Sequence, residues 1–412
     1  MFQLLRSMGA WMGRLLGPAR GLTVVASCVS AASLVACVTQ PVAPVDSTQA
    51  MALEQAIALA TDSLAAQMQK MPGLLAKVDA LNKRPVLMDP SLDAASGQQT
   101  SLTQLLDQKV NDRLRLQHPQ FEVLPFRQGS LGKAQYLLVG TITRHETQRD
   151  AFQIHLAMAE IKTGLVVAQA SARARDDRLD TTPLPYYRDT PVLLVKDRVV
   201  EGYLRTARTA PGQRIEAAYL ERVSVAATIQ EATGAYNEER FQDALGLYRS
   251  ALTTPAGEQM RALNGVYLAN WKLGNLPEAE KAFGQLVAMG LASKSIGVKF
   301  LFNPGSTEFW SDPRFSGQYG LWLRQIARQA ANTRVCLDVI GHTSHTGSEA
   351  FNDRLSAQRA AVIQRRLEQE AAALGGRLKS HGMGFRENLI GTGSDDASDS
   401  LDRRVEFRII DC

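Results

Sequence analysis

From Met51 onward the apolar residues Met51, Leu53, Ile57, Leu59, Leu64, Met68 and Leu74 return every three to four positions, a period that predicts a helix. "RPVLMDP" (84–90) is a short apolar run closed by Asp-Pro, and "SGQQTSLTQLLDQKVNDRLRL" predicts a second helix with Thr100 or Ser101 near its start. "FEVLPF" (121–126) and "QYLLVGTIT" (135–143) predict strands, the second apolar enough to be buried on both faces. Phe152, Ile154, Leu156 and Met158 then alternate with Gln153, His155, Ala157 and Ala159; "KTG" (162–164) is a turn, and "LVVAQASARA" returns as the second arm of a hairpin. Between 223 and 291 the period is helical. Beyond it Val298, Phe300 and Phe302 alternate as a strand, and Leu321, Leu323, Ile326 and Ala330 mark a helix. "RVCLDVIGHT" is the next strand, and Phe351, Leu355, Ala360, Ile363 and Leu367 form the apolar side of a second helix. "RLKSHGMGF" and "RRVEFRIIDC" are the last two strands, the final one alternating at Val405, Phe407 and Ile409. The fold class is therefore multidomain α/β: a sheet domain over 51–210, a helical region over 215–292, and a β-α-β-α-β-β domain over 296–412.

Composition changes this picture little. With 412 residues, 45% hydrophobic and 21% charged, the chain is an ordinary globular one with room for two or three domains. The net charge of +5 owes part of its excess to Arg6, Arg14 and Arg20, so it does not imply a nucleic-acid partner. Those arginines precede "GLTVVASCVSAASLVA" (21–36), an uncharged run too short for a spanning helix, which needs roughly 20 residues. It has the character of a secretory signal. Its end, Leu34-Val35-Ala36-Cys37, resembles the bacterial lipobox, which implies a signal peptide over 1–36 and diacylation (palmitate-type) of Cys37. Val25-Ala26-Ser27-Cys28 fits loosely but leaves too short an apolar run. Val38 stands where an aspartate would resemble an inner-membrane retention signal, so the resemblance implies a lipid anchor in the outer membrane, with the protein facing the periplasm. "VTQPVAPVDSTQ", within 37–50, has the composition of a tether.

Three sequence patterns resemble known families. "VLMDPSLDAASGQQT", "YLLVGTIT" followed by "AEIKTGLVVAQ", and "DTTPLPYYRDTPVL" resemble the FlgO, LpoB and CsgG group of outer-membrane assembly lipoproteins. Within the last stretch Tyr186 and Tyr187 are either exposed as a contact surface or packed on their own domain. "RFQDALGLYRSAL" and "NLPEAEKAFGQLV" align at an offset of 35, matching Phe241 to Leu276, Ala244 to Ala279 and Tyr248 to Phe283; they resemble tetratricopeptide repeats. Two such units do not bury their faces alone, so they pack on a neighbouring domain or offer a groove to a peptide.

The last domain carries the most specific pattern: Gly341-His342-Thr343-Ser344, Gly347, Asn352-Asp353-Arg354-Leu355-Ser356-Ala357-Gln358-Arg359-Ala360, Gly382-Met383-Gly384 and Asp402-Arg403-Arg404-Val405-Glu406. It resembles the OmpA C-terminal family of peptidoglycan-binding domains, which includes the peptidoglycan-associated lipoproteins. The resemblance implies a diaminopimelate-bearing stem peptide as ligand, met by His342, Thr343, Ser344, Asn352, Arg359 and Arg403. Arg359 would clamp a carboxylate, Arg403 would add a second cation, and Asn352 would hold the loop. A guanidinium fork and a helix start are both suited to a carboxylate. The family aspartate that pairs with the ligand ammonium is Ser344 here. A hydroxyl supplies no charge, and the lost charge-assisted bond is worth on the order of 1.5–3 kcal/mol. Asp402, in place of a family asparagine, puts a carboxylate near the pocket as partial compensation.

Other chemistries fit less well. His342 and His345 lie three apart in a strand-to-loop transition with no third histidine or cysteine at ligand spacing, so no metal site is read here. Neither Ser344 nor Ser356 sits in a nucleophile-elbow arrangement; no catalytic residue, cofactor or enzymatic activity is expected. If Arg403 flanks the pocket, as the family match implies, the second and last strands run antiparallel and bring Cys336 and Cys412 to the same far edge. A disulfide between them is then expected, the competing state being two free thiols. The expected function is an outer-membrane lipoprotein that binds peptidoglycan non-covalently and anchors or scaffolds an envelope assembly. Its partners would be the stem peptide, the membrane through the lipid, and a protein of an envelope complex. The alternative is a regulator or assembly factor for a secretion, flagellar or cell-wall machine, with wall binding secondary.

Overall fold

A computed structural model of the chain describes residues 46–69 and 83–412, apart from 146, 147, 149, 194–196, 304, 334, 390–392 and 394–401. The signal peptide, Cys37, the tether up to 45, and Leu74 lie outside the described residues. The described residues, from Asp46 on, form one unit built on two sheets.

The first sheet runs in the order β1 (Asp46–Met51), β7 (Leu165–Arg175), β6 (Ala151–Glu160), β5 (Tyr136–Arg144), β2 (Arg84–Met88), β4 (Phe121–Pro125), with β3 (Leu92–Asp93) also beside β5. The predicted hairpin is β6–β7. One face is covered by α1 (Leu53–Gln69) and α2 (Ser101–Gln117), the other by later segments of the chain: Val199, Val200 and Tyr203 of the helix Arg198–Thr206, with Tyr219 and Val223. The β5 sequence is apolar on both sides because Leu138 and Ile142 face the first layer while Leu137 and Val139 face the second. Thr100 caps α2 in a reciprocal capping box with Thr103.

The tether expectation is corrected at its end. Asp46–Met51 is strand β1, parallel to β7. An edge strand is held by main-chain hydrogen bonds, and "DSTQAM" has no apolar alternation to announce it.

The helical region is two hairpins, Val223–Asn237 with Phe241–Ala251 and Met260–Lys272 with Leu276–Ala292. Two of the three aligned pairs are equivalent in burial: Ala244 with Ala279 and Tyr248 with Phe283 are all fully enclosed, whereas Phe241 packs against the core and Leu276 is half exposed.

The second sheet has the order β11 (Leu378–Gly382), β10 (Cys336–Gly341), β12 (Val405–Ile410), β9 (Ser295–Val298), β8 (Val192–Leu193). The helices Tyr319–Thr333 and Glu349–Glu370 complete the expected β-α-β-α-β-β order from β9 to β12. Strand pairing in β9 stops at Val298, short of the expected strand, although Phe300 and Phe302 remain buried in phase with it. Their alternation is satisfied by an aromatic cluster with Phe309, Tyr319 and Trp322 instead of by a ladder. Strand β8 comes from the N-terminal half of the chain. Just before it, Tyr186 and Tyr187 are buried among the helical hairpins, so they are neither an exposed contact surface nor packed on their own sheet. Cys336 and Cys412 form a disulfide with their Cα atoms 5.2 Å apart. The register explains it: Cys336 pairs with Ile410, and the terminus continues two residues beyond.

Candidate functional site

The site is at the carboxyl ends of the parallel strands β10 and β11. The long helix Glu349–Glu370 lies close against both because two glycines leave room. A Cβ on Gly341 would stand 2.1 Å from the Ser356 carbonyl oxygen, and one on Gly382 would stand 2.3 Å from the Ala357 nitrogen. Ser356 Oγ locks the contact, accepting from Gly384 N–H at 3.0 Å and donating to Asp353 O at 3.0 Å. Thr343 N–H donates to Gly384 O at 2.9 Å, joining the two strand ends beyond the sheet.

The loop between β10 and the helix is held from the helix start. Ser348 is the N-cap and its side chain accepts from Phe351 N–H. Asn352, buried, donates from Nδ2 to Thr346 O at 2.7 Å and Ser348 O at 3.1 Å, tying the loop to the helix start. Ser344 is buried with its Oγ 3.4 Å from Thr346 Oγ1. The first amides of the helix thus face the loop with the positive end of the helix dipole behind them.

Two turns along the helix, Arg359 is buried with its guanidinium 4.8 Å from the Phe302 ring centroid. Its Nε donates to Ser306 O at 3.1 Å and its Nη2 to Asn303 O at 3.3 Å. The guanidinium therefore also fixes the turn that follows β9, a role that motif matching does not reveal. Arg403 is half-buried in the turn just before β12, not on the strand itself. Asp402 is fully buried and its Oδ1 accepts from Leu389 N–H at 2.6 Å, so one oxygen of this carboxylate secures the neighbouring loop.

On the opposite face of the sheet, Arg404, Glu406 and Arg408 follow one another at period two beside His342. Arg404 Nε donates to Glu406 Oε1 at 2.8 Å, and Arg408 Nη2 reaches Glu406 Oε2 at 2.9 Å and Glu387 Oε2 at 2.7 Å. Burial works against the Glu406 carboxylate, but Arg404 and Arg408 outweigh it and hold its pKa below the usual value. Burial, reinforced by Arg404, pushes the His342 imidazole down to about 4, so the ring is neutral at neutral pH and supplies no cation to a ligand. His342, Glu387 and Glu406 offer metal-ligand atoms within 4.8 Å of one another. Both carboxylates are engaged by guanidinium groups, Glu406 by Arg404 and Arg408 and Glu387 by Arg408, so their charge is already met by arginines. Nothing in the spacing of "GHTSH" points to Glu387 or Glu406; the alternation of charge in "RRVEFR" is the one local trace of it.

A separate groove of about 1060 Å³ runs between α2 and the edge strand β4, lined by Gln104, Gln108, Asn111, Arg115 and Val123. Glu122, Pro119 and Pro125 also line it and blunt that edge against strand addition. Among the described residues no helix is long and apolar enough to cross a membrane.

Comparisons with known proteins bear on the last domain. No curated protein matches the chain. Among solved structures, the periplasmic domain of Helicobacter pylori MotB is similar at 18% identity over 28% of this chain and 74% of that one, with a TM-score of 0.24. The cell wall anchor of the T6SS from Pseudomonas aeruginosa is similar at 20% identity over 28% and 80%, TM-score 0.24. The peptidoglycan-associated lipoprotein from Burkholderia pseudomallei is similar at 21% identity over 29% and 93%, TM-score 0.24. Residues 301–400 match the model of the OmpA family, and the chain carries an OmpA-like domain there.

Proposed function

We propose that the protein is an outer-membrane lipoprotein that faces the periplasm, binds peptidoglycan non-covalently through its OmpA-like domain, and so anchors or scaffolds an envelope assembly. It is a binding protein, not an enzyme. The observation that carries this is the convergence of the separated motif segments at one end of the second sheet: the loop held by Asn352, the capped start of the long helix, and the Arg359 guanidinium along the same helix. A stem-peptide carboxylate is suited to meet both the helix start and the arginines. Ser344 leaves the ammonium end of a diaminopimelate without the family's carboxylate.

The sheet domain is then of the assembly-lipoprotein kind, and the helical hairpins are tetratricopeptide-like, supported by the matched burial of Ala244 with Ala279 and of Tyr248 with Phe283. A protein partner belongs to these regions, and the anchor to Cys37.

Co-sedimentation of the purified protein with sacculi tests the wall contact. Wild type should pellet with the sacculi and Arg359→Ala should stay in the supernatant. A wild type that does not pellet, or an Arg359→Ala protein that pellets equally well, removes the assignment. Palmitate labelling tests the anchor: label on wild type and none on Cys37→Ser is expected, and an unlabelled wild type would rule the anchor out.

A further inference from the structure

The segment 184–193 connects three parts of the molecule. At its start it is tied to the first sheet domain: Ser101 N–H donates to Thr182 O at 2.9 Å, and Leu184 N–H donates to Gln99 O at 3.0 Å. Its middle is seated between the first and third helices of the two hairpins. Asn237 Oδ1 accepts from Tyr186 N–H at 2.8 Å, and Asn264 Nδ2 donates to Thr190 Oγ1 at 2.9 Å. Tyr186 OH donates to Arg261 O at 2.7 Å. The Asp189 carboxylate accepts from Tyr236 OH at 2.9 Å and pairs with Lys272 Nζ at 2.9 Å. Main-chain and carboxylate groups held by asparagine, tyrosine and lysine side chains are what a helical groove offers a peptide ligand. Here the ligand is the chain itself.

At its end the segment becomes β8, with Val192 opposite Val298. Lys299 then fastens the joint. Its N–H donates to Pro191 O at 2.8 Å, and its buried Nζ donates to Tyr187 O at 3.2 Å and Arg188 O at 3.3 Å. Burial pushes this amine down to about 8, with Asp189 opposing the shift, so it is still charged at neutral pH, and those carbonyls give its ammonium hydrogen-bond partners. Three residues further on, the Phe302 ring faces the Arg359 guanidinium, and Asn303 and Ser306 supply the carbonyls that Arg359 holds.

We propose that residues 184–193 act as a strap whose seating in the helical groove fixes the geometry of the pocket turn, so that a pull on the N-terminal sheet domain is felt at Arg359. The groove is thereby an internal clamp and is filled before any outside peptide arrives. The physical route is contiguous: strap, β8–β9 pairing, Lys299, Phe302, Arg359. The binding consequence rests on the pocket being the wall site proposed above; the mechanical coupling does not.

The test uses the whole mature chain with Asp189→Ala and Asn264→Ala combined, changes that leave every pocket residue in place. Amide hydrogen exchange at Lys299, Asn303 and Ser306 reports the coupling, and sacculus co-sedimentation reports the consequence. Exchange at all three positions should rise at least about tenfold, equivalent to roughly 1.4 kcal/mol, with a comparable fall in sacculus affinity. Faster exchange at Lys299 with Asn303 and Ser306 unchanged overturns the proposal, as does unchanged exchange at Lys299. If the double variant does not fold, Lys272→Ala alone, which removes a half-exposed partner of Asp189, should give roughly threefold changes in the same direction, and no change there is equally decisive against it. A wild type that fails to bind sacculi defeats the proposed function, while the exchange result still decides the strap.

Discussion

Removing the disulfide is a sharp test of how the last domain is held. The bond spans 76 residues of sequence and joins the first residue of β10 to the chain terminus. For a closed loop of that length the entropic model gives about 4.5 kcal/mol at 25 °C, an upper figure because native strain and residual unfolded structure reduce it. Cys412→Ser is the gentler variant, since Cys412 is exposed and Cys336 is buried. Urea unfolding followed by Trp fluorescence suits the measurement, because Trp310 and Trp322 both lie in this domain. With a slope of about 1–3 kcal/mol/M, a loss of even 3 kcal/mol moves the midpoint by at least about 1 M. Adding reductant to wild type should reproduce most of that shift, and adding it to the variant should do nothing. The bond lies at the opposite end of β10 from Gly341, about 17 Å away at the rise of an extended strand. Sacculus binding at low urea should therefore be unchanged. A midpoint shift below about 0.3 M would mean that the β10–β12 ladder alone secures the terminus, and the loop-entropy reasoning would be refuted for this chain.

Ser344→Asp restores a carboxylate beside the loop that Asn352 holds, and should strengthen sacculus binding about ten- to a hundredfold in co-sedimentation; weaker binding would show that the pocket is misassigned or that its ligand lacks a free amine. The half-buried Asp89 carboxyl, which accepts from Tyr219 OH at 2.5 Å, is pushed by burial up to about 7. Its folded pKa exceeds the unfolded one, so between about pH 4 and 7 the native state keeps a proton that the unfolded state releases, and stability falls as pH rises through that window. Asp89→Asn keeps an acceptor for Tyr219 and removes the penalty: it should stabilise by about 2 kcal/mol at pH 8 and by little at pH 4, read from denaturation at both pH values. Equal effects at the two pH values would contradict the assignment.

What the sequence makes legible here is what local chemistry dictates. The order from β9 to β12 follows from two periods, 2 and 3.6, although the alternation at Val298, Phe300 and Phe302 runs on past the end of β9. The hairpin β6–β7 and the cap at Thr100 rest on neighbours within a few residues. The Cys336–Cys412 bond was reachable because it depends only on strand direction and residue count once two strands are known to be antiparallel. The misses share one cause. Strand β1 carries no apolar alternation, and β8 is two residues long; each exists because a remote strand offers it main-chain partners. Tyr186 and Tyr187 stand in a proline-rich tract that reads as a surface loop, and only the cavity between helices made of residues 223–292 gives their rings a place. The same holds at the site. Asn352 is assigned to the loop by its place in the family motif, and its partners there are four and six residues away. The second role of Arg359, gripping carbonyls more than fifty positions earlier, and the pairing of Glu387 with Arg408 arise only when the sheet has brought those segments together. Motif matching therefore singles out the residues of the proposed pocket, while the groups that hold them in place are distributed over distant parts of the chain. It follows that substitutions far from the pocket, at Lys299 or along the strap, are where wall affinity is expected to be tuned without any change in the motif itself.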